Sequence, residues 1–145
     1  MTDAKFEKVS RTDKPLYGRR KLLLCGFSQD VQPNFSKLLE LIGLADIPRV
    51  WVAQDQAESR VGELAELEDG TGWGVSSGLP RAIIMAGITQ SEMHRLMTGC
   101  RQSKMKQTLW ATLTPTSETW TIQSLMNELA TEHAVMKKKN QRGKP

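Results

Sequence analysis

Leu22-Leu23-Leu24-Cys25-Gly26-Phe27-Ser28-Gln29 and Ile83-Ile84-Met85-Ala86-Gly87-Ile88-Thr89-Gln90 are the two stretches on which the fold turns. In each, an apolar run ends at glycine and is followed by an apolar residue, a hydroxyl residue and glutamine. Further on, Arg49-Val50-Trp51-Val52-Ala53 answers Thr108-Leu109-Trp110-Ala111-Thr112. Between these landmarks both copies place apolar residues at i, i+3, i+4 and i+7: Phe35, Leu38, Leu39 and Ile42, then Met93, Leu96, Met97 and Cys100. That spacing marks one face of an amphipathic helix. Self-similarity over this length predicts a duplicated β-α-β unit.

Working outward, the first copy spans 21–68, with strands near 21–26 and 49–53. Its helix carries Pro33 in the first turn and stops at Gly43, and a weaker helix covers 54–68. The second copy spans 81–136, with strands near 82–87 and 108–113. Thr89-Gln90-Ser91-Glu92 is a capping box that opens its first helix. The longest helix follows, its inward face formed by Ile122, Leu125, Met126, Leu129, His133 and Met136. Residues 69–80 carry Gly70, Gly72, Gly74 and Gly78 and form the linker, with Trp73 as its anchor to the body. Residues 1–20 read as a flexible N-terminal arm and 137–145 as a basic disordered tail, leaving a single α/β domain over 21–136.

Alternating strands and helices predict a mainly parallel four-stranded sheet with helices on both faces. The strand order 2-1-3-4 suits two copies related by a pseudo-twofold axis along the strands. A ferredoxin-like β-α-β-β-α-β arrangement competes, but has no place for two extra helices. In the favoured order strands one and three are parallel central neighbours, and ligands bind at such a switch point. Gly26, Ser28, Gln29, Gly87, Thr89 and Gln90 are therefore the candidate ligand-binding residues, at two helix N-termini with free N–H groups. The plainer reading gives the glycines to tight turns and the hydroxyls to helix caps.

The net charge of +4 is unevenly spread: residues 1–21 carry +4, 137–145 carry +5 and the body between them −5. A body-wide basic face, the footprint of a nucleic-acid-binding fold, is missing. Lys137, Lys138 and Lys139 in the tail remain candidates for contact with a protein or nucleic-acid partner. Trp120 lies off the apolar stripe of its helix; it either folds back before the helix starts or meets a partner. No apolar run approaches the roughly 20 residues that span a bilayer, which argues against a membrane partner. The first twenty residues lack a signal-peptide core. Cys25 and Cys100 read as buried, reduced thiols, so a cytoplasmic location is expected.

Motifs for chemistry are scarce. His94 and His133 stand apart, without HExxH, CxxC or clustered ligand spacing, so no metal is expected. Neither cysteine has a local histidine partner and GxSxG is absent. The glycines of 70–78 precede a strand, whereas a phosphate loop follows one, and no cofactor motif is present. The reading is a small non-catalytic α/β binding or protein-interaction module. A nucleic-acid-associated accessory protein using its basic tails is one alternative. A small ligand sensor or enzyme with its site at the switch point is the other.

Ala82-Ile83-Ile84-Met85-Ala86-Gly87, Ala111-Thr112-Leu113-Thr114-Pro115, Trp120, Leu125 and Glu128-Leu129-Ala130-Thr131-Glu132-His133 together resemble a bacterial family, domain of unknown function 3783. The resemblance covers about residues 81–137. Ser117-Glu118, between the threonine turn and Trp120, departs from the family pattern. The resemblance supports the fold and implies no activity.

Overall fold

The computed structural model of the chain describes residues 14–103 and 108–142, the side chains of 135–142 excepted. Four strands, β1 (Lys21–Cys25), β2 (Arg49–Val52), β3 (Ala82–Ala86) and β4 (Leu109–Thr112), form one sheet in the order β2-β1-β3-β4. The helices are α1 (Gln32–Leu41), α2 (Val61–Ala65), α3 (Gln90–Gln102) and α4 (Ile122–Arg142), with 3-10 turns at Gln54–Gln56 and Ser117–Thr119. Every residue of β1 and β3 is buried, as expected of central strands covered on both faces.

Alternate residues of those strands feed two core layers. Leu22, Leu24, Ile83 and Met85 meet Phe35 and Leu39 of α1 and Leu96 and Cys100 of α3. Leu23, Cys25, Ala82, Ile84 and Ala86 meet Val61, Leu64 and Ala65 of α2 and Ile122, Leu125 and Met126 of α4. Helices thus cover both faces. Among the described residues, no helix is long and apolar enough to cross a membrane.

The sheet is mixed, which corrects the expectation of a mainly parallel one. β1 pairs with β2 and β3 with β4 in parallel, but β1 and β3 are antiparallel. The linker is the reason. Gly70 N–H donates to the Arg49 carbonyl and Trp51 N–H to the Thr71 carbonyl, both at 2.8 Å. This segment therefore ascends the outer edge of β2 like a rudimentary strand. It then crosses above β1, where Gln29 N–H donates to Ser76 Oγ at 2.8 Å. β3 must start where β1 ends and run back down.

Other boundaries differ too. The weak helix expected over 54–68 is a 3-10 turn followed by only five helical residues, Val61–Ala65. Between them the chain is drawn against the entrance of α4: Val61 N–H donates to the Trp120 carbonyl and Ile122 N–H to the Ser59 carbonyl. Residues 15–20, expected in a flexible arm, are tied down. Leu16 N–H donates to the Ile88 carbonyl and Gly87 N–H to the Tyr17 carbonyl, while the Tyr17 hydroxyl bonds Glu118. Residues 1–13 of the arm lie outside the described ones. Helix α4 runs on to Arg142, so Lys137, Lys138 and Lys139 sit on helical backbone where a disordered tail was expected.

Candidate functional site

Antiparallel pairing sends the two candidate loops to opposite ends of the sheet. Gly26-Phe27-Ser28-Gln29 lies at one end with the start of β3, since Cys25 pairs with Ala82. Gly87-Ile88-Thr89-Gln90 lies at the other end with the start of β1, since Lys21 pairs with Ala86. The single crevice expected between them does not exist.

The second loop is occupied by its own structure. Gly87 gives its N–H to Tyr17, and a Cβ there would lie 2.5 Å from the Gly18 carbonyl oxygen. Thr89 Oγ1 accepts from Glu92 N–H at 3.1 Å, and Glu92 Oε1 accepts from Thr89 N–H at 3.0 Å, closing the capping box. Gln90 is exposed at the first position of α3. Arg20, which directly precedes β1, donates to Glu92 Oε1 at 2.6 Å and to Asp46 Oδ2 at 3.0 Å. The hydrogen bond from Arg20 holds the Glu92 carboxyl below the usual glutamate range.

A depressed folded-state pKa contributes stability that is present above the unfolded value of about 4.3 and is lost as the pH falls through the lower folded value. Glu92→Gln is therefore expected to melt below the wild type at neutral pH. Melting curves taken from about pH 7 down to about pH 3 should show that gap closing in the acid range. A gap that persists unchanged would mean that the ion pair is not its source.

The first loop is built differently. Helix α1 starts after Val31 without a side-chain cap. The Ser28 carbonyl accepts from Val31 and Gln32 N–H, and Ser28 Oγ donates to Asp30 Oδ1 at 2.6 Å. That bond, with the backbone N–H groups of Asp30 and Val31, keeps the exposed Asp30 carboxyl below its ordinary value. Gln32 is buried and ties the linker down, its amide donating to the Val75 carbonyl at 3.0 Å and accepting from Gly74 N–H at 2.7 Å. Gln29 is exposed.

A cavity of about 470 Å³ opens here, walled by Ser28, Asp30, Val31, Asn34, Phe35 and Leu38 on the α1 side and by Arg81 and Ser103 opposite. Small-molecule sites fall in this size range. Arg81, which directly precedes β3, reaches it with its guanidinium 4.4 Å from the Phe27 ring centroid and Nε donating to the Gly26 carbonyl at 3.2 Å. Burial draws its pKa below the ordinary arginine value. No carboxylate among the described residues pairs with it; the ion pairs there are Arg19–Glu66, Arg20–Asp46 and Arg20–Glu92.

Of the expected site residues only Ser28 lines this cavity. Asp30, Asn34, Arg81 and Ser103, which also line it, are not among the expected residues. The available signal was an arginine placed just before the apolar run in both copies, Arg20 and Arg81. Trp120 is half-buried, packs on the core and precedes α4, so it folds back. The side chains of Lys137, Lys138 and Lys139 lie outside the described ones. Burial pushes the Cys25 thiol up to about 12 and the Cys100 thiol to about 11, which suppresses the thiolate that nucleophilic chemistry needs. Among the described residues, no three His, Cys, Asp or Glu side chains come together as a metal site.

Residues 81–136 match a family model, the domain of unknown function DUF3783. The match covers β3, α3, β4 and most of α4, less than half of the chain. No curated protein and no solved structure matches the chain.

Proposed function

We propose that this protein is a non-catalytic α/β binding module of a reducing, cytoplasmic compartment, and that its ligand occupies the cavity between α1 and Arg81. One observation carries the reading: a half-buried guanidinium that forms no ion pair among the described residues borders a cavity whose one carboxylate, Asp30, is exposed to solvent. Desolvated cations in proteins are ordinarily paired, and an unpaired one beside a small-molecule-sized cavity suits a ligand. The free, buried thiols of Cys25 and Cys100 fit a reducing compartment.

The module is read as a duplication whose two copies face each other across an axis perpendicular to the sheet. Leu23 pairs with Ile84, and on the α2/α4 side Arg60 bridges Thr121. The same interval of chain separates each of those pairs, Gly26 from Gly87, and Arg20 from Arg81. One copy closes its end of the sheet with protein ion pairs, and the other keeps its end for a ligand.

A thermal-shift screen of metabolites and nucleotides against the full chain tests the reading. A ligand at a hundredfold its Kd adds about 2.7 kcal/mol, a readily measured shift in melting temperature. At least one compound should stabilise the wild type and fail to stabilise Ser28→Trp, which fills the cavity mouth. If stabilising compounds act equally on both proteins, the cavity is not the site.

A further inference from the structure

We propose that the cavity takes a small organic monocarboxylate with an apolar body, its carboxylate standing at Arg81 where Glu92 stands at Arg20. This rests on the binding-module reading above.

The two arginines supply the comparison. Each directly precedes a central strand, and each reaches the end of the sheet at which a glycine loop begins a helix. Counting back from Glu92 by the interval between Arg20 and Arg81 lands on Val31; the same step takes Thr89 to Ser28 and Leu96 to Phe35. At one end the arginine thus finds a glutamate in the first turn of α3 at 2.6 Å, with Asp46 at 3.0 Å. At the other end Val31 follows Ser28 by three residues as Glu92 follows Thr89, stands just before α1, and borders an open cavity. The first-end cation is ion-paired within the protein, and the second forms no ion pair among the described residues.

The walls define the rest of the ligand. Val31, just before α1, and Phe35 and Leu38 within it stand at i, i+4 and i+7 and give the cavity an apolar side. Ser28, Asn34 and Ser103 add a few neutral polar groups. A planar guanidinium held by Phe27 on its face and the Gly26 carbonyl at Nε keeps its terminal nitrogens for a fork-to-fork contact with a carboxylate. Asp30 borders the same cavity as an ionised carboxylate, so a second negative charge on the ligand would be repelled. That repulsion grows with the charge of the ligand, so it favours a monoanion over a dianion.

Calorimetric titrations and melting curves of the full chain with sodium hexanoate, hexanol and inorganic phosphate test this. Hexanoate should bind and raise the melting temperature, with hexanol and phosphate far weaker. R81Q should weaken hexanoate roughly tenfold or more, the usual loss for a charge-assisted contact. Because R81Q also disturbs Phe27, V31E provides the second arm. It restores the missing glutamate, so it should melt above the wild type without ligand and lose its response to hexanoate. Hexanoate binding that survives both substitutions, or stabilisation by phosphate alone, overturns the assignment. If hexanoate is inert while a non-acidic compound from the screen binds the cavity, the carboxylate class falls and the binding module stands. If nothing binds, both fall.

Discussion

Replacing Trp51 with alanine should cost about 3–5 kcal/mol of folding stability, as for a large aromatic removed from a close-packed core. Trp51 is only 2 % exposed and sits at the centre of an aromatic nucleus. Phe27 lies 5.7 Å from it edge-on, Phe35 at 6.2 Å and Trp73 at 5.3 Å. Truncation opens a void that touches β1, α1 and the linker together, and it removes the anchor that keeps the linker on the edge of β2. Trp110, its counterpart by sequence pattern, is only partly buried, and Trp110→Ala should cost clearly less. Urea unfolding of both variants measures the difference. Equal losses would show that the aromatic nucleus is not the principal support of the first half.

Gly26→Val should be as damaging by another route. The backbone there has φ +77°, a conformation that costs an L-residue about 1–2 kcal/mol. A Cβ would also lie 2.5 Å from the Leu79 carbonyl oxygen and 2.6 Å from Pro80. These are backbone atoms of the linker as it enters β3, so they cannot swing aside without displacing the strand. Gly43 is the control: it shares φ +77° but meets only the flexible end of Arg95 at 3.4 Å. Gly43→Val should cost the backbone strain alone. Denaturation midpoints for the two variants separate strain from collision, and similar values would mean that the linker yields.

Much of this fold was legible because periodicity reports burial. The runs 22–25 and 83–86 are apolar throughout since both faces of the central strands are covered. The stripe Phe35, Leu39 and the stripe Leu96, Cys100 meet the same core layer. The strand order 2-1-3-4 also followed from the pattern. Strand direction did not, because it depends on where a glycine-rich segment travels, and composition carries no heading. Gly70 and Thr71 bond the edge of β2 through backbone groups alone. Side-chain identity says little about such contacts.

The tryptophans show a related limit. Trp51 pairs beside Leu24 but Trp110 beside Ile83, so the matching strands are offset in register by two residues. A slip of two keeps a side chain on the same face, and the hydrophobic pattern is blind to it. Of the candidate residues, Ser28 lines the cavity, but the expected crevice joining it to Thr89 and Gln90 is abolished by antiparallel strands. Arg81 is illegible in sequence because what sets it apart from Arg20 is the lack of an ion pair among the described residues, a property of the folded chain alone.

Backbone amide chemical shifts followed by NMR during a sodium hexanoate titration test the central claim most directly. The predicted shifts cluster at Ser28–Leu38, Arg81 and Ser103, while Ile88–Glu92 at the opposite end of the sheet stay fixed. Equal movement at Thr89 and Gln90, or none near Arg81, would contradict a site built on one end of a mixed sheet.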